Sequence, residues 1–205
     1  DLGIKKLVHV SALGIKEKNN SQYMQSKLQG EINIKNTFKS TVILRPSVCF
    51  GPDDNFFNKF ASIAEFSPFL PLVGNGKTKF APIYVGDVSN AIMKALDLNN
   101  STPKIFELGG PEIYSFKELM EILLAEIKKK RLLIPIPFSI GMFLSYFLQM
   151  LPNPLLTPDQ VEMLKSNNVV SGDYPTLKDL GVSGTSIKNI LPKYIYRFRT
   201  GGQFG

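Results

Sequence analysis

Tyr23 and Lys27 stand four residues apart, a spacing that puts both on one face of a helix. An ammonium beside a phenol favours the phenolate, so Lys27 is expected to lower the Tyr23 pKa from its ordinary value of about 10 toward neutrality. A tyrosine tuned in this way shuttles a proton during carbonyl reduction or alcohol oxidation, and the lysine keeps donors for a ribose hydroxyl. Ser11 lies twelve residues before Tyr23, just after the apolar run Leu7–Val10, and is the third polar group expected to join them. A second pair at the same spacing, Tyr174 and Lys178, has Pro175 inside it and no buried strand ending in serine ahead of it. It carries no such expectation.

Positioning these groups requires a strand that delivers Ser11 and a helix that carries Tyr23 and Lys27. Lys5-Lys6-Leu7-Val8-His9-Val10 is nearly continuous in apolar residues and is ended by Ser11 and Gly14, the pattern of a parallel strand covered on both faces. Residues 21–37 follow as a helix with Tyr23, Lys27 and Glu31 on one face. Thr41-Val42-Ile43-Leu44-Arg45 is a second buried strand stopped by Pro46, and Lys104–Leu108 a third, closed by Gly109-Gly110-Pro111. Between them Gly51-Pro52 marks a turn, Asp53-Asp54 sit where a helix start favours acids, and Phe56, Phe57, Phe60, Ile63 and Ala64 recur at helical spacing. Residues 82–85 form a short extended piece, with Asp87 expected as the N-cap of a helix over 88–98. Ser115 and Glu118 form a capping box for a helix reaching Lys129. Asp1-Leu2-Gly3-Ile4 reads as a helix tail with a glycine stop. This order predicts an α/β fold with a mainly parallel sheet, residues 1–110 forming one region and 111–205 a smaller, mostly helical one.

Residues 132–158 carry no charge and follow directly on Lys128-Lys129-Lys130-Arg131. Prolines 135, 137, 152 and 154 confine the helical part to residues 138–151, shorter than the ~20 residues a bilayer span needs. The expected role is a helix packed into the core. The alternative is a helix lying on a membrane or a hydrophobic partner, its basic flank meeting anionic headgroups. From Thr157 on, two short helical patterns and a Gly-rich tail remain.

The 205 residues are 43% hydrophobic and 20% charged, with 15 Phe and 7 Tyr, which excludes a disordered chain and allows a sizeable core. The single cysteine, Cys49, excludes an internal disulfide framework and makes a reducing compartment the default. A formal charge of +7 suits an anionic partner: a nucleotide, a membrane surface or a nucleic acid. Nucleic acid is set aside, because the basic run at 128–131 has no interleaved aromatics and no recognised module around it. Gly74-Asn75-Gly76-Lys77-Thr78 ends like a phosphate loop, but Pro71 stands where the first glycine belongs, so a hairpin turn is expected. His9 is the one histidine and is expected to pack rather than react, and no His, Cys and carboxylate cluster points to a metal.

The ordered motifs resemble the short-chain dehydrogenase/reductase superfamily in its extended or atypical, NAD-dependent epimerase/dehydratase-like branch. They run from Val8-His9-Val10-Ser11-Ala12-Leu13-Gly14 through Tyr23-Met24-Gln25-Ser26-Lys27 to Leu44-Arg45-Pro46-Ser47-Val48-Cys49-Phe50-Gly51-Pro52. Ile83-Tyr84-Val85-Gly86-Asp87-Val88 and Phe106-Glu107-Leu108-Gly109-Gly110-Pro111 continue the order. Asn55-Phe56-Phe57-Asn58-Lys59-Phe60, Leu155-Leu156-Thr157-Pro158-Asp159-Gln160-Val161 and Asn168-Val169-Val170 narrow the resemblance further. They are similar to the NAD(P)-binding accessory subunit family of respiratory complex I (NADH:ubiquinone oxidoreductase) and its bacterial relatives.

The resemblance implies a Rossmann-type doubly wound parallel sheet, of which these residues are the C-terminal portion, about 100 residues short of a typical dinucleotide fold. The family's first strands and Gly-rich phosphate loop are not among the 205 residues. Carried over by position, Tyr23 is the acid/base or ribose-binding tyrosine, Lys27 its partner and Ser11 the third member, with Ala12 where many relatives have a second serine. Pro46, Ser47 and Val48 are implied to line the nicotinamide side. The implied cofactor is NAD or NADP. The implied partners are the dinucleotide and either respiratory-chain proteins or the membrane surface, with no nucleic acid and no metal. The implied location is cytoplasmic, or peripheral at the inner face of a bacterial cytoplasmic membrane. Three functions fit: an accessory subunit whose nucleotide is structural and serves respiratory-chain assembly or ubiquinone metabolism; an active oxidoreductase or epimerase using Tyr23 and Lys27; and a membrane-associated interaction module with a vestigial nucleotide site.

Overall fold

The computed structural model describes residues 3–16, 20–98, 104–152 and 154–201. The expected helix tail at Asp1-Leu2 lies outside them. β1 (Leu7–Val10) leads to α1 (Gln22–Thr37), then β2 (Thr41–Pro46), the short β3 (Cys49–Phe50) and α2 (Phe57–Phe66). β4 (Phe69–Val73), a 3-10 turn at Gly74–Gly76, β5 (Lys79–Phe80), β6 (Ile83–Tyr84), α3 (Val85–Asp97) and β7 (Lys104–Leu108) follow. β8 (Tyr114–Ser115), α4 (Phe116–Glu126), β9 (Leu132–Ile136), α5 (Phe138–Leu148), α6 (Pro158–Leu164), a 3-10 turn at Leu177–Leu180, α7 (Ile187–Ile195) and a last 3-10 turn at Tyr196–Phe198 complete the described order.

β2 is buried at every position and forms the middle of a parallel sheet ordered β1-β2-β7, with Leu7 opposite Thr41 and Val42 opposite Lys104. Side chains alternate across a strand, and β2 uses both faces. Val42 and Leu44 pack with Val88, Ala91 and Ala95 of α3. On the alternate face Arg45 meets α1, where its Nε and Nη2 donate to the two Glu31 carboxylate oxygens at 2.8 and 2.7 Å. Helices cover both faces of a parallel sheet, the doubly wound arrangement that the sequence implies.

A second core gathers α2, α4 and α7 around Phe50, Phe57, Leu119, Met120, Leu123 and Leu191. Two small sheets tie it to the first: β3 with β6 and β5 with β8. The Ser115 capping box forms as expected, with the Ser115 amide donating to Glu118 Oε2 at 2.6 Å and the Ser115 hydroxyl accepting from the Glu118 amide. Asp54 also serves as a helix-start acid, accepting from the amides of Phe56 and Phe57 at 2.9 and 2.6 Å.

Three expectations are corrected. Asp87 is no N-cap: α3 starts earlier, at Val85, and the buried Asp87 carboxylate accepts from the Thr185 amide and hydroxyl at 2.6 and 2.9 Å. The glycines at 74–76 make no hairpin, because the flanking strands pair elsewhere, β4 with β9 and β5 with β8. Gly74 is held at φ +65°, and a Cβ there would enter the Phe138 ring. The uncharged segment begins as a strand, β9, in parallel register with β4. Its helix, α5, is not a core helix: only Gly141 and Ser145 are buried, while Ile140, Phe143, Tyr146 and Phe147 face outward at 52–63% exposure. Among the described residues no helix is long and apolar enough to cross a membrane.

The Glu31–Arg45 pair generates a stability prediction. Burial alone would raise the Glu31 carboxyl, but hydrogen bonds from Arg45 and Ser11 and the charges of Arg45 and Lys35 bring it below its ordinary 4.5. A carboxylate with a depressed folded pKa contributes stability above the unfolded value, and that contribution is lost as pH falls through the folded value. Arg45→Met should lower unfolding free energy by about 3–5 kcal/mol at neutral pH, because it leaves a buried charge unpaired. Glu31→Gln should flatten the loss of stability below pH 4.5 seen in urea titrations of the parent.

Candidate functional site

Every residue singled out for chemistry reaches one cavity of about 750 Å³ at the carboxyl ends of β1 and β2. Ser11, Tyr23, Lys27, Pro46, Ser47 and Val48 all line it. This is the edge at which open parallel sheets present ligand sites. The chain leaving β1 stays beside β2, the Ser11 amide donating to Leu44 O at 2.7 Å and the Leu13 amide to Pro46 O at 2.9 Å. The Ser47 amide in turn reaches Leu108 O of β7 at 2.8 Å, so the two strand-end loops are fixed by the sheet itself.

α1 enters the cavity at its amino end. Ser21 caps it by accepting from the Met24 amide at 3.3 Å. Asp159, from α6, lies over the same end and accepts from the Gln22 and Tyr23 amides at 2.6 and 3.3 Å and from the Ser21 hydroxyl at 3.1 Å. A carboxylate at a helix N-terminus satisfies otherwise unpaired amides and meets the positive end of the helix dipole. Glu31, two turns on, anchors the middle of the helix through Arg45. Tyr23 and Lys27 are therefore held between two fixed points.

The Lys27 ammonium lies 5.7 Å from the centre of the Tyr23 ring and donates to Val10 O at 3.4 Å. The Tyr23 hydroxyl makes no hydrogen bond to a described residue, and the side chain is 42% exposed. The expected fall in the Tyr23 pKa does not occur. Burial, and then the neighbouring Cys49, push the phenol above its usual 10.0. Lys27 sits over the face of the ring, where it makes a cation–π contact rather than neutralising a phenolate.

Ser11 is buried beneath the wall and helps to hold down the Glu31 carboxyl, but makes no ordinary-length hydrogen bond to a described residue. Ser47 does not present a free hydroxyl either: it donates to Asn168 Oδ1 at 2.6 Å. His9 packs beside Gly30 of α1, where a Cβ on the glycine would come within 3.6 Å of its ring. Burial, and then Lys27, lower its pKa against the opposing effect of Glu31. Among the described residues no group of three or more His, Cys, Asp or Glu is placed to hold a metal ion.

Sequence reasoning assigned no site role to Asn168 or Asp159, although both lie in motifs that carried the resemblance. Asn168 is a hub: its side chain accepts from Ser47 Oγ and the Val48 amide and donates to Leu13 O, while its backbone bridges Lys79 and Ala81. The signal was a polar residue beside two valines far along the chain, and nothing local says what it touches.

Comparison with known proteins bears on the family and the fold. Residues 9–109 match the NAD dependent epimerase/dehydratase family. Those residues therefore carry a domain of that family, on a Rossmann-like α/β fold. Over 98% of its length it is 31% identical to NADH dehydrogenase (ubiquinone) 1 alpha subcomplex subunit 9 of Arabidopsis thaliana and 32% identical to the Mus musculus protein of the same name, both mitochondrial. It covers 52% and 53% of those proteins, about half the length of the curated relatives it matches. Among solved structures, a dTDP-glucose 4,6-dehydratase from Streptomyces venezuelae with NAD bound superimposes with TM-score 0.66 at 18% identity, over 96% of this chain and 60% of that one. The expectation of NAD or NADP agrees with the family's description.

Two outcomes test this geometry. In NMR titrations of ring-labelled tyrosine, Tyr23 should titrate above pH 10.0, Lys27→Met should leave it nearly unchanged, and Cys49→Ala should lower it. Asn168→Ala leaves the Ser47 hydroxyl and the Val48 amide without their acceptor, and should cost about 1–3 kcal/mol in denaturant unfolding.

Proposed function

We propose that this chain is the C-terminal portion of an NAD(P)-binding protein of the complex I accessory subunit type, in which the nucleotide is structural. Its role then lies in respiratory-chain assembly or ubiquinone metabolism. The similarity of nearly the whole chain to the subunit 9 proteins supports the assignment. The observation that carries the structural rather than catalytic role is the Tyr23 phenol, which burial holds protonated beside an ammonium that faces its ring. A protonated phenol and a lysine with donors to spare fit the hydroxyls of a nicotinamide ribose without being tuned for proton abstraction. Pro46 and Val48 supply the apolar side of the same wall. Bound nicotinamide would bring hydride chemistry. Residues 1–110 provide the dinucleotide half and residues 111–205 the substrate or partner side.

The exposed apolar face of α5 supports a partner role for that second region. The face would meet respiratory-chain proteins or the inner surface of a bacterial cytoplasmic membrane, with the protein otherwise cytoplasmic. Of the neighbouring cations, Lys129 already pairs with Glu65 and Arg131 with the carbonyls of Ala64 and Glu65, which leaves Lys128 and Lys130 exposed to an anionic surface.

The second reading, an active oxidoreductase or epimerase, draws on the Tyr23–Lys27 pair itself. NADPH added to the full-length protein should co-elute on gel filtration, and its 340 nm absorbance should persist through broad panels of carbonyl substrates. Tyr23→Phe should leave occupancy within a fewfold of the parent. Turnover that disappears in Tyr23→Phe would establish the enzyme instead, and failure of NADPH and NADH alike to bind would remove both readings.

A further inference from the structure

The cavity that Tyr23 and Lys27 line also has an aromatic part to its wall. Phe56 and Phe60 lie 5.4 Å apart between ring centres, Phe60 and Phe116 5.3 Å, and Phe56 and Phe80 5.9 Å, and all four line the cavity. Leu156, Met163 and Leu164 line the same cavity, and Leu164 packs against the cluster that holds Phe80 and Phe116.

The polar side chains on this wall are largely engaged by the protein. Ser47 is held by Asn168, Asp159 by the amino end of α1, and Thr157 and Gln160 by their reciprocal capping box. Asn167 accepts from the Lys79 amide at 2.9 Å, and Lys59 donates to Pro154 O at 2.8 Å. Burial also lowers the Lys59 pKa, which disfavours its charged form. What remains for a ligand is the Tyr23 hydroxyl, the other hydrogens of Lys27, the buried Ser11 hydroxyl beside them, and the exposed side chains of Asn55 and Ser166. Among the described residues no arginine lies on the wall, so none of them offers a planar fork for a diphosphate. A polyhydroxylated ligand would leave most of its hydroxyls unpaired against phenylalanine, at the cost of desolvating each.

We infer that the space behind Tyr23 takes an apolar chain, of the acyl or prenyl type, ending in one carbonyl or alcohol that Tyr23 and Lys27 hold. A sugar nucleotide, of the kind handled by the dehydratase that shares this fold, does not match the wall. The inference rests on the dinucleotide reading only for the side from which the cofactor approaches, and the whole cavity, with the part given to the nicotinamide ribose included, measures about 750 Å³, within the range for ligand cavities.

The test is displacement of N-phenyl-1-naphthylamine, whose fluorescence rises in apolar sites, from the full-length protein. The probe should bind saturably, and 1-decanol or farnesol should displace it, the tighter of the two identifying a straight or a prenyl chain. UDP-glucose at millimolar concentration should not. Met163→Glu should weaken probe binding by about tenfold or more, because a charge would face the apolar wall. Leu156→Arg, at a second half-buried position on the lining, should do the same and keeps the test valid should Met163→Glu fail to fold. Phe143→Ser, on the outer face of α5, should change nothing. Displacement by UDP-glucose alone, or probe binding that survives both cavity variants or vanishes in Phe143→Ser, overturns the inference. NADPH binding, read separately by its own fluorescence, separates this outcome from failure of the cofactor reading.

Discussion

One buried ion pair sets the geometry on which the candidate site depends. Glu31 is fully buried and Arg45 is 7% exposed, so both charges have left water. That is tolerable only because the guanidinium fork meets both carboxylate oxygens, with Lys35 nearby at 3.8 Å. Arg45 also lies 5.1 Å from the centre of the Tyr174 ring, which fills the remaining side of the guanidinium. Because Glu31 is on α1 and Arg45 on β2, the pair fixes both the rotation and the height of the helix over the sheet. A helix turned by one residue would bring neither Glu31 to Arg45 nor Tyr23 and Lys27 to the cavity, since all three acidic, basic and phenolic groups share one helical stripe.

The other fixed points come from far along the chain. Asp159 holds the amino end of α1 and Asn168 laces together the loops after β1 and β2, each from more than 100 residues away. The site is thus built by local strand ends and finished by distant polar residues. The C-terminal third is part of the wall of the cavity rather than an appendage to it, which is why α6 supplies Met163 and Leu164 beside Tyr23.

Where a structural feature depended on local chemistry, the sequence showed it. β1, β2 and β7 each carry a short apolar stretch, Leu7-Val8, Val42-Ile43-Leu44 and Ile105-Phe106, and the Ser115–Glu118 box and the acid at Asp54 are contacts within four residues. The β4–β9 pair was hidden for an equally physical reason. Pro71 and Pro135 lie inside it, opposite Ile134 and Leu72, and proline reads as a strand breaker. In a sheet of two strands each strand keeps one free edge, where a missing N–H removes no ladder bond. The exposure of α5 was hidden too. Its apolar residues surround the helix instead of forming a stripe, and composition alone makes such a helix look like a core element. Asp87 misled because a Gly-Asp pair is a common helix start, while its true partner, Thr185, is 98 residues away.

The Tyr23–Lys27 pair shows how far spacing can go in assigning chemistry. Four residues along a helix bring a lysine and a tyrosine together, but not the ammonium to the oxygen. At 5.7 Å from the ring centre, the cation meets the negative face of the π system, an attraction that exists equally well with a neutral phenol. Electrostatic stabilisation of a phenolate needs the charge near Oη, and here burial and the Cys49 thiol act on that oxygen in the opposite direction. The same two side chains therefore make a site suited to holding hydroxyl groups. They would make a proton-transfer site only if a bound ligand drew the Lys27 ammonium from the ring face and Val10 O to the phenol oxygen. On the proposed reading, the Lys27 rotamer is what separates a site that holds hydroxyl groups from one that moves a proton, and the hydrogen bond to Val10 O keeps the ammonium over the ring.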